Sequence, residues 1–224
     1  MQAPRSDFWT PLAGLAAALT FFFGVVFAAN GPDNDDSNAK IVAWYADHGH
    51  RVGVIVGAFI LAFFGLFLLW FTAGVRERLR AAEGPGGRLG DVALGGGILC
   101  VAAIWVGAAA LAAIPAGVSL GGSPDLTNAD LARFLPSVGF GAILLFGMFG
   151  AIALIDAVSI VIWRTGVLPR WLAWLGFACG VILLFGVVFL PMIALPIWLI
   201  ATSIVLLRTG STATEPAAPA TPTG

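Results

Sequence analysis

The side chains able to do chemistry are few, and Asp156 is the hardest of them to explain as filler. It interrupts an otherwise apolar run from Ser137 to Trp163. A charged aspartate at mid-helix in a bilayer costs roughly 2.5–3.5 kcal/mol on insertion scales, so it must face other helices or water. Eight residues separate it from Arg164, which is ~12 Å of helix rise. Ser159, Thr202 and Ser203 fall at a comparable depth, and with Asp156 they form a candidate intramembrane polar site. Its chemistry would be binding of a proton or ion by the carboxyl, with Thr202 or Ser203 donating a hydrogen bond to it. The plainer alternative is a protonated or hydrogen-bonded carboxyl that ties helices together. No second acid, histidine or lysine stands at that depth to extend a proton relay.

Weaker candidates lie in polar stretches. Asp47, His48 and His50 could form a pH-sensitive or metal-binding group, but the i, i+2 spacing of the histidines turns them to different sides of a helix, and no third ligand is near in sequence. Asp33-Asn34-Asp35-Asp36 resembles the start of a calcium loop. It lacks glycine at the sixth position, where Asn38 stands, and glutamate at the twelfth, where Trp44 stands. Gly86-Gly87 is followed by no lysine and hydroxyl residue, so it is no phosphate loop. Cys100 and Cys179 lie inside apolar runs, as small packing residues rather than disulfide partners. No catalytic, cofactor or metal constellation emerges.

These groups must be positioned by elements that composition restricts severely. Of 224 residues, 59% are hydrophobic and only 10% charged, with a mean hydropathy of +0.98. A soluble domain carries about a quarter charged residues, so lipid must solvate much of this chain. A net charge of −1 and the lack of a basic-aromatic stripe argue against nucleic acid as a partner. A crossing helix needs about 20 apolar residues. Six runs approach that length, at 11–29, 52–75, 92–114, 137–163, 171–190 and 192–207. Pro191 and Pro196 favour a turn between the last two, because one helix from Trp171 to Leu207 would be ~55 Å long.

Orientation follows from the cations. Arg5, Arg76, Arg78, Arg80, Arg88, Arg164, Arg170 and Arg208 fall on one side, and only Lys40, Arg51 and Arg133 on the other. The positive-inside rule then places both termini in the cytoplasm, with residues 1–10 and a disordered tail at 209–224 there. Trp9, Trp70, Trp163, Trp171 and Trp174 fall near the inner boundaries. Val26-Phe27-Ala28 would serve as a cleavage site if the first run were a signal segment, leaving five spans, but that run is long for a signal core.

Two outer segments predict short interfacial helices. In one, Ser37 caps a helix bearing Ile41, Val42, Trp44 and Tyr45. In the other, Thr127 and Asp130 form a capping box before Leu131, Phe134 and Leu135. The cytoplasmic loop 76–91 begins with Arg76, Arg78 and Arg80, suited to anchoring at anionic lipid. Small-residue pairs Gly53–Gly57, Gly147–Ala151 and Gly176–Gly180 allow close helix packing inside the bundle. Gly95-Gly96-Gly97 should be either soft or tightly packed.

Three stretches carry a resemblance: Ser37 to Arg51, Leu68-Leu69-Trp70-Phe71 leading into Arg76-Glu77-Arg78-Leu79-Arg80, and Arg164-Thr165-Gly166-Val167-Leu168-Pro169-Arg170-Trp171-Leu172-Ala173-Trp174-Leu175-Gly176. Through them the chain resembles a widespread group of uncharacterised six-span integral membrane proteins, a domain of unknown function, of high-GC bacteria. The resemblance implies six spans and no site residues. Ten arginines against one lysine suit such a source. The expectation is therefore an all-α membrane protein of the bacterial cytoplasmic membrane, with six transmembrane helices and two short outer-face interfacial helices. An accessory, structural or interaction role ranks first, a small proton- or ion-coupled transporter using Asp156 second, and a membrane-embedded enzyme third.

Overall fold

The computed structural model describes residues 8–121, 128–185 and 190–212. Arg5, Asp125, Thr127 and the tail 213–224 lie outside them. The described residues are mostly helical, with no strand among them. Helix α1 spans Trp9–Ala28, α2 Asn38–Ala46, α3 His48–Glu83 and α4 Leu89–Gly121. Then come α5 (Ala129–Gly141), a π-helical turn (Ala142–Gly147), α6 (Met148–Thr165), α7 (Arg170–Leu184), a 3-10 turn (Leu190–Ile193) and α8 (Ala194–Thr212).

Five helical stretches are long and apolar enough to cross a membrane: α1, α3, α4, the run Ala129–Thr165 and the stretch Pro191–Thr209. Helix α7 is apolar but has 15 residues, ~22 Å against a hydrocarbon core of ~30 Å. Both faces of these helices are apolar. Phe22, Phe59, Phe63, Phe146, Phe149 and Val181 are exposed on the outside of the bundle, where water would be a poor neighbour and lipid a good one.

Local chemistry sets the helix ends. Ser37 caps α2, its hydroxyl accepting the Lys40 N–H. Asp47 caps α3 in the same way through the His50 N–H, at 2.9 Å. Arginine does not break a helix, so α3 continues through Arg76, Arg78 and Arg80 and stops only at Gly84, whose φ of 72° suits a residue without Cβ. The expected loop at 76–91 is thus mostly helix. Arg76 and Arg80, one turn apart, both grip Asp91 in the first turn of α4 at 2.8 Å. Glu83 accepts the N–H groups of Leu89 and Gly90, capping α4 from outside.

The second interfacial helix is corrected. Asn128 caps α5 by accepting the Asp130 N–H, and the helical path then runs unbroken, through the π-helical turn, to Thr165. Pro136 stands inside it without ending it. The stretch expected to lie apart as an outer-face helix is therefore the first turns of the fourth long helix. Gly166, with a φ of 67°, ends α6, and Pro169 begins α7.

Helices pack in a closed ring in the order α1, α3, α4, α6, α7, α8 and back to α1, with α3 also touching α6. Close approaches at glycines give the directions. Gly57 lies against Ala28 and Gly14 against Phe71, so α1 and α3 are antiparallel. Gly96 meets Gly150, and Gly107 meets Gly139 eleven residues away, so α4 and the α5–α6 run are antiparallel in one register. Ser203 stands over Gly14 while Met192 shares a hollow with Val25, so α8 runs antiparallel to α1 and closes the ring. Phe64, Leu68, Phe71, Ile155, Ile162 and Trp198 fill the centre. At one end, α2 lays Ile41 and Tyr45 on Ile114 and Ala132, a small separate core. Its apolar face is turned inward onto protein.

Candidate functional site

Asp156 is partly buried and faces α7. Its Oδ1 lies 2.6 Å from where a Cβ on Gly180 would stand. One turn further along α6, Ser159 stands over Gly176 and donates its hydroxyl to the Ile155 carbonyl at 2.7 Å. The Trp198 Nε1 lies 3.2 Å from the same Cβ position on Gly176. The pair Gly176–Gly180 is therefore the bed into which two polar side chains of α6 are pressed.

Thr202 and Ser203 do not join them. Successive residues on an α-helix point about 100° apart, so the two hydroxyls of α8 must address different neighbours. Ser203 turns to Gly14 and Phe71. Thr202 lines a cavity with Val75 and Val158. Among the described residues no hydrogen bond reaches Asp156, which overturns the expectation that Thr202 or Ser203 donates to it. The four candidate residues are thus divided over three separate contacts. The buried Oγ1 of Thr202, Oγ of Ser203 and Nε1 of Trp198 have no hydrogen-bond partner among the described residues.

The same device recurs around the half of the ring that carries Arg76, Arg164 and Arg208. Thr10 stands over Gly74 between α1 and α3, and Thr72 over Gly97 between α3 and α4. Thr72 also donates to the Leu69 carbonyl at 3.0 Å. Each small polar side chain closes onto a glycine of the next helix, Thr72 through its methyl group, letting backbones approach, while Thr72 and Ser159 spend their hydrogens on their own helix. Sequence spacing exposed only the glycine pairs. The facing hydroxyls needed the antiparallel register. Gly147 packs on Ile104 and Gly57 on Ala28, as their spacing implied, whereas Gly53 has nothing within 4 Å of its Cβ position and takes no part in the packing.

The weaker outer candidates have local roles. His50 stacks on Trp44, ring centroids 4.7 Å apart and planes 4° from parallel, with Nδ1 3.4 Å from the Trp44 carbonyl. Asp47 is the cap already described, and the backbone N–H of His50 holds its carboxyl below the usual carboxylate range. Among the described residues no group of three or more His, Cys, Asp or Glu is arranged to hold a metal. Arg51 and Arg133, at the opposite end, are staples. Arg51 donates to the carbonyls of Tyr45 and Ala46 at 2.6 and 2.7 Å and to Ser119 at 3.1 Å. Arg133 donates to the carbonyls of Asn34 and Asp36 at 3.0 and 2.7 Å. Burial raises the Tyr45 hydroxyl above its ordinary value.

Three cavities among the described residues are large enough to matter. One, of about 440 Å³, opens at the arginine-rich end between α3, the α6–α7 turn and α8. A second, of about 350 Å³, is an apolar hollow between α3 and α4 lined by Phe59, Ala62, Trp105 and Ala109. A third, of about 210 Å³, lies under α2 between Asp33, Asn34, Tyr45, Pro136 and Ser137. Asp156 lines none of them. Comparison with known proteins returns no match: no family model, no curated protein and no solved structure matches the chain. The class defined by the fold is an all-helical protein whose several long apolar helices are compatible with integration in a membrane.

Proposed function

We propose that this chain is a six-crossing integral protein of the bacterial cytoplasmic membrane, both termini inside, that acts as an accessory or structural element through its packed bundle and surfaces. One observation carries the reading: the polar side chains Thr10, Thr72, Asp156, Ser159 and Ser203 are each pressed onto a glycine of a neighbouring helix. They hold the ring together instead of lining a path. Support for six crossings comes from the alternating directions of the ring helices and from the seven arginines gathered at one end among the described residues. Exposed Trp9, Trp70, Trp163, Trp171 and Trp174 at that end suit a membrane boundary. In this reading α2 sits at the outer surface. The resemblance to six-span proteins of high-GC bacteria belongs to the same reading.

A proton- or ion-coupled carrier is the second reading, favoured by the lack of a hydrogen-bond partner for the Asp156 carboxyl among the described residues. Sealed proteoliposomes carrying a trapped pH dye separate the two. The accessory role expects no proton flux above protein-free vesicles, and the same melting temperature, within a few degrees, for Asp156→Asn. Flux that wild type supports and Asp156→Asn abolishes would replace it with the carrier.

A further inference from the structure

The cavity at the arginine-rich end has the make-up of a ligand site. Its volume of about 440 Å³ falls in the range of pockets that take small molecules. Its floor is buried and apolar, made by Val75, Leu79, Val158 and Leu206. Thr202 also lines it, and that side chain is 1% exposed with a hydroxyl that has no hydrogen-bond partner among the described residues. Towards the rim the lining changes to Arg78 and to the exposed Val167 and Thr209. The walls thus pass from hydrocarbon through one unpaired hydroxyl to a permanent cation over the last turns of α3 and α8.

Charge around the mouth points the same way. Arg76, Arg78, Arg80, Arg88, Arg164, Arg170 and Arg208 stand at this end against Glu77, Glu83 and Asp91 among the described residues. Of these arginines, Arg78, two residues from Arg76 and from Arg80 and so on another face of α3, lines the cavity. A ligand matched to these walls has an anionic head and an apolar tail. The volume holds a head and the first part of a chain, not a whole lipid.

We propose that this cavity binds one anionic phospholipid of the surrounding bilayer, with its phosphate at Arg78, its polar linkage near Thr202 and the start of a chain against Val75, Val158 and Leu206. The site rests on the membrane reading above, since only then does a bilayer surface lie at this end. It goes further by turning general anchoring at three arginines into a single inserted lipid held at one of them.

The test uses full-length protein purified in neutral detergent, with native mass spectrometry counting retained lipids and thermal melting following titration. Phosphatidylglycerol, phosphatidylcholine and soluble glycerol phosphate are the three ligands. The expected result is one tightly retained phosphatidylglycerol, with weaker phosphatidylcholine binding and no effect of glycerol phosphate. Arg78→Gln should weaken phosphatidylglycerol about tenfold, the loss of one charge-assisted contact. Val167→Trp should weaken it by filling the mouth, and Thr202→Val by removing the hydroxyl. Arg164→Gln, at the same end but away from the cavity, should leave it unchanged. Equal loss in Arg164→Gln and Arg78→Gln would reduce the effect to diffuse charge and overturn the site, as would retention in Arg78→Gln with Val167→Trp. Equal response to glycerol phosphate would assign the cavity to a soluble phosphate and overturn the lipid. Failure of the membrane reading shows separately, as protein that stays dispersed without detergent.

Discussion

At the scale of single residues, adjacent glycines carry opposite expectations. A Cβ on Gly96 would stand 2.6 Å from the Leu154 N and 2.7 Å from the Gly150 O, both backbone atoms. Backbone cannot step aside as a side chain can, so Gly96→Ala must push α4 from α6. A cost of about 1–3 kcal/mol is expected, the range for overpacking. Gly95 has nothing within 4 Å of its Cβ position, and Gly95→Ala should be neutral or gain up to about 1 kcal/mol from helix propensity. Thermal melts in detergent should therefore order the variants Gly95→Ala, wild type, Gly96→Ala; the reverse order would contradict the α4–α6 register. Acid sensitivity is also a residue property here. Asp47 has its folded carboxyl held below the ordinary value by the His50 N–H, and the Asp36 carboxyl is held low first by the Lys40 ammonium at 2.7 Å. A depressed carboxyl contributes stability above its unfolded value and loses it as pH falls through the folded one. The melting temperature should thus drop below about pH 4, and Asp36→Asn with Asp47→Asn should flatten that drop while lowering the plateau at pH 6.

Elements differ in how far the sequence reveals them. Helix α2 was legible because its start is a local matter: Ser37 and the Lys40 N–H are three residues apart. Its apolar residues were legible too, but not their direction. Ile41 and Tyr45 face Ile114 and Ala132, a contact across the fold that periodicity cannot distinguish from a lipid face. The loop expected at 76–91 failed for another reason. Charge does not mark the end of a span, because the helix needs only satisfied backbone and stops where Gly84 takes a positive φ. The candidate site divided similarly. Depth along the sequence placed Asp156, Ser159, Thr202 and Ser203 at one level, but azimuth around the ring depends on register and separated them. The stapling of the outer segment yields a prediction at this scale. Arg51 closes the carbonyl end of α2 and Arg133 fixes the chain at Asn34 and Asp36. Arg51→Met should raise amide exchange over residues 38–46 and Arg133→Met over 33–37, with little change in α3 or α4. Exchange rising equally through the bundle would show that these arginines support the whole fold and not the cap alone.

For the whole molecule, the question on which six crossings turn is whether α7 and α8 pass through the bilayer or enter and return. Helix α7 alone is short, ~22 Å by its 15 residues. The ring supplies a stronger argument than its length. Met192, just before α8, shares a hollow with Val25, Ala28 and Ala29 at the far end of α1 and with Phe140 of α5. A hairpin that turned back at mid-depth would leave Met192 beside the middle of α1, near Ala18. The antiparallel pairing of Ser203 with Gly14 and Met192 with Val25 keeps α8 beside α1 over eleven residues. Met192 therefore belongs with the α2 end of the molecule. In sealed vesicles of one orientation, with Cys100→Ala and Cys179→Ala removing the buried thiols, an impermeant maleimide should label Phe185→Cys and Ile193→Cys from the face that labels Lys40→Cys. Arg88→Cys, Gly166→Cys and Arg208→Cys should label only from the opposite face. If Ile193→Cys instead reacts from the Arg88 side, α7 and α8 form a re-entrant pair, the crossings fall to four, and both termini still share one face. The terminal positions alone thus cannot decide between the two arrangements; the label at the turn can, because it is the point that changes sides.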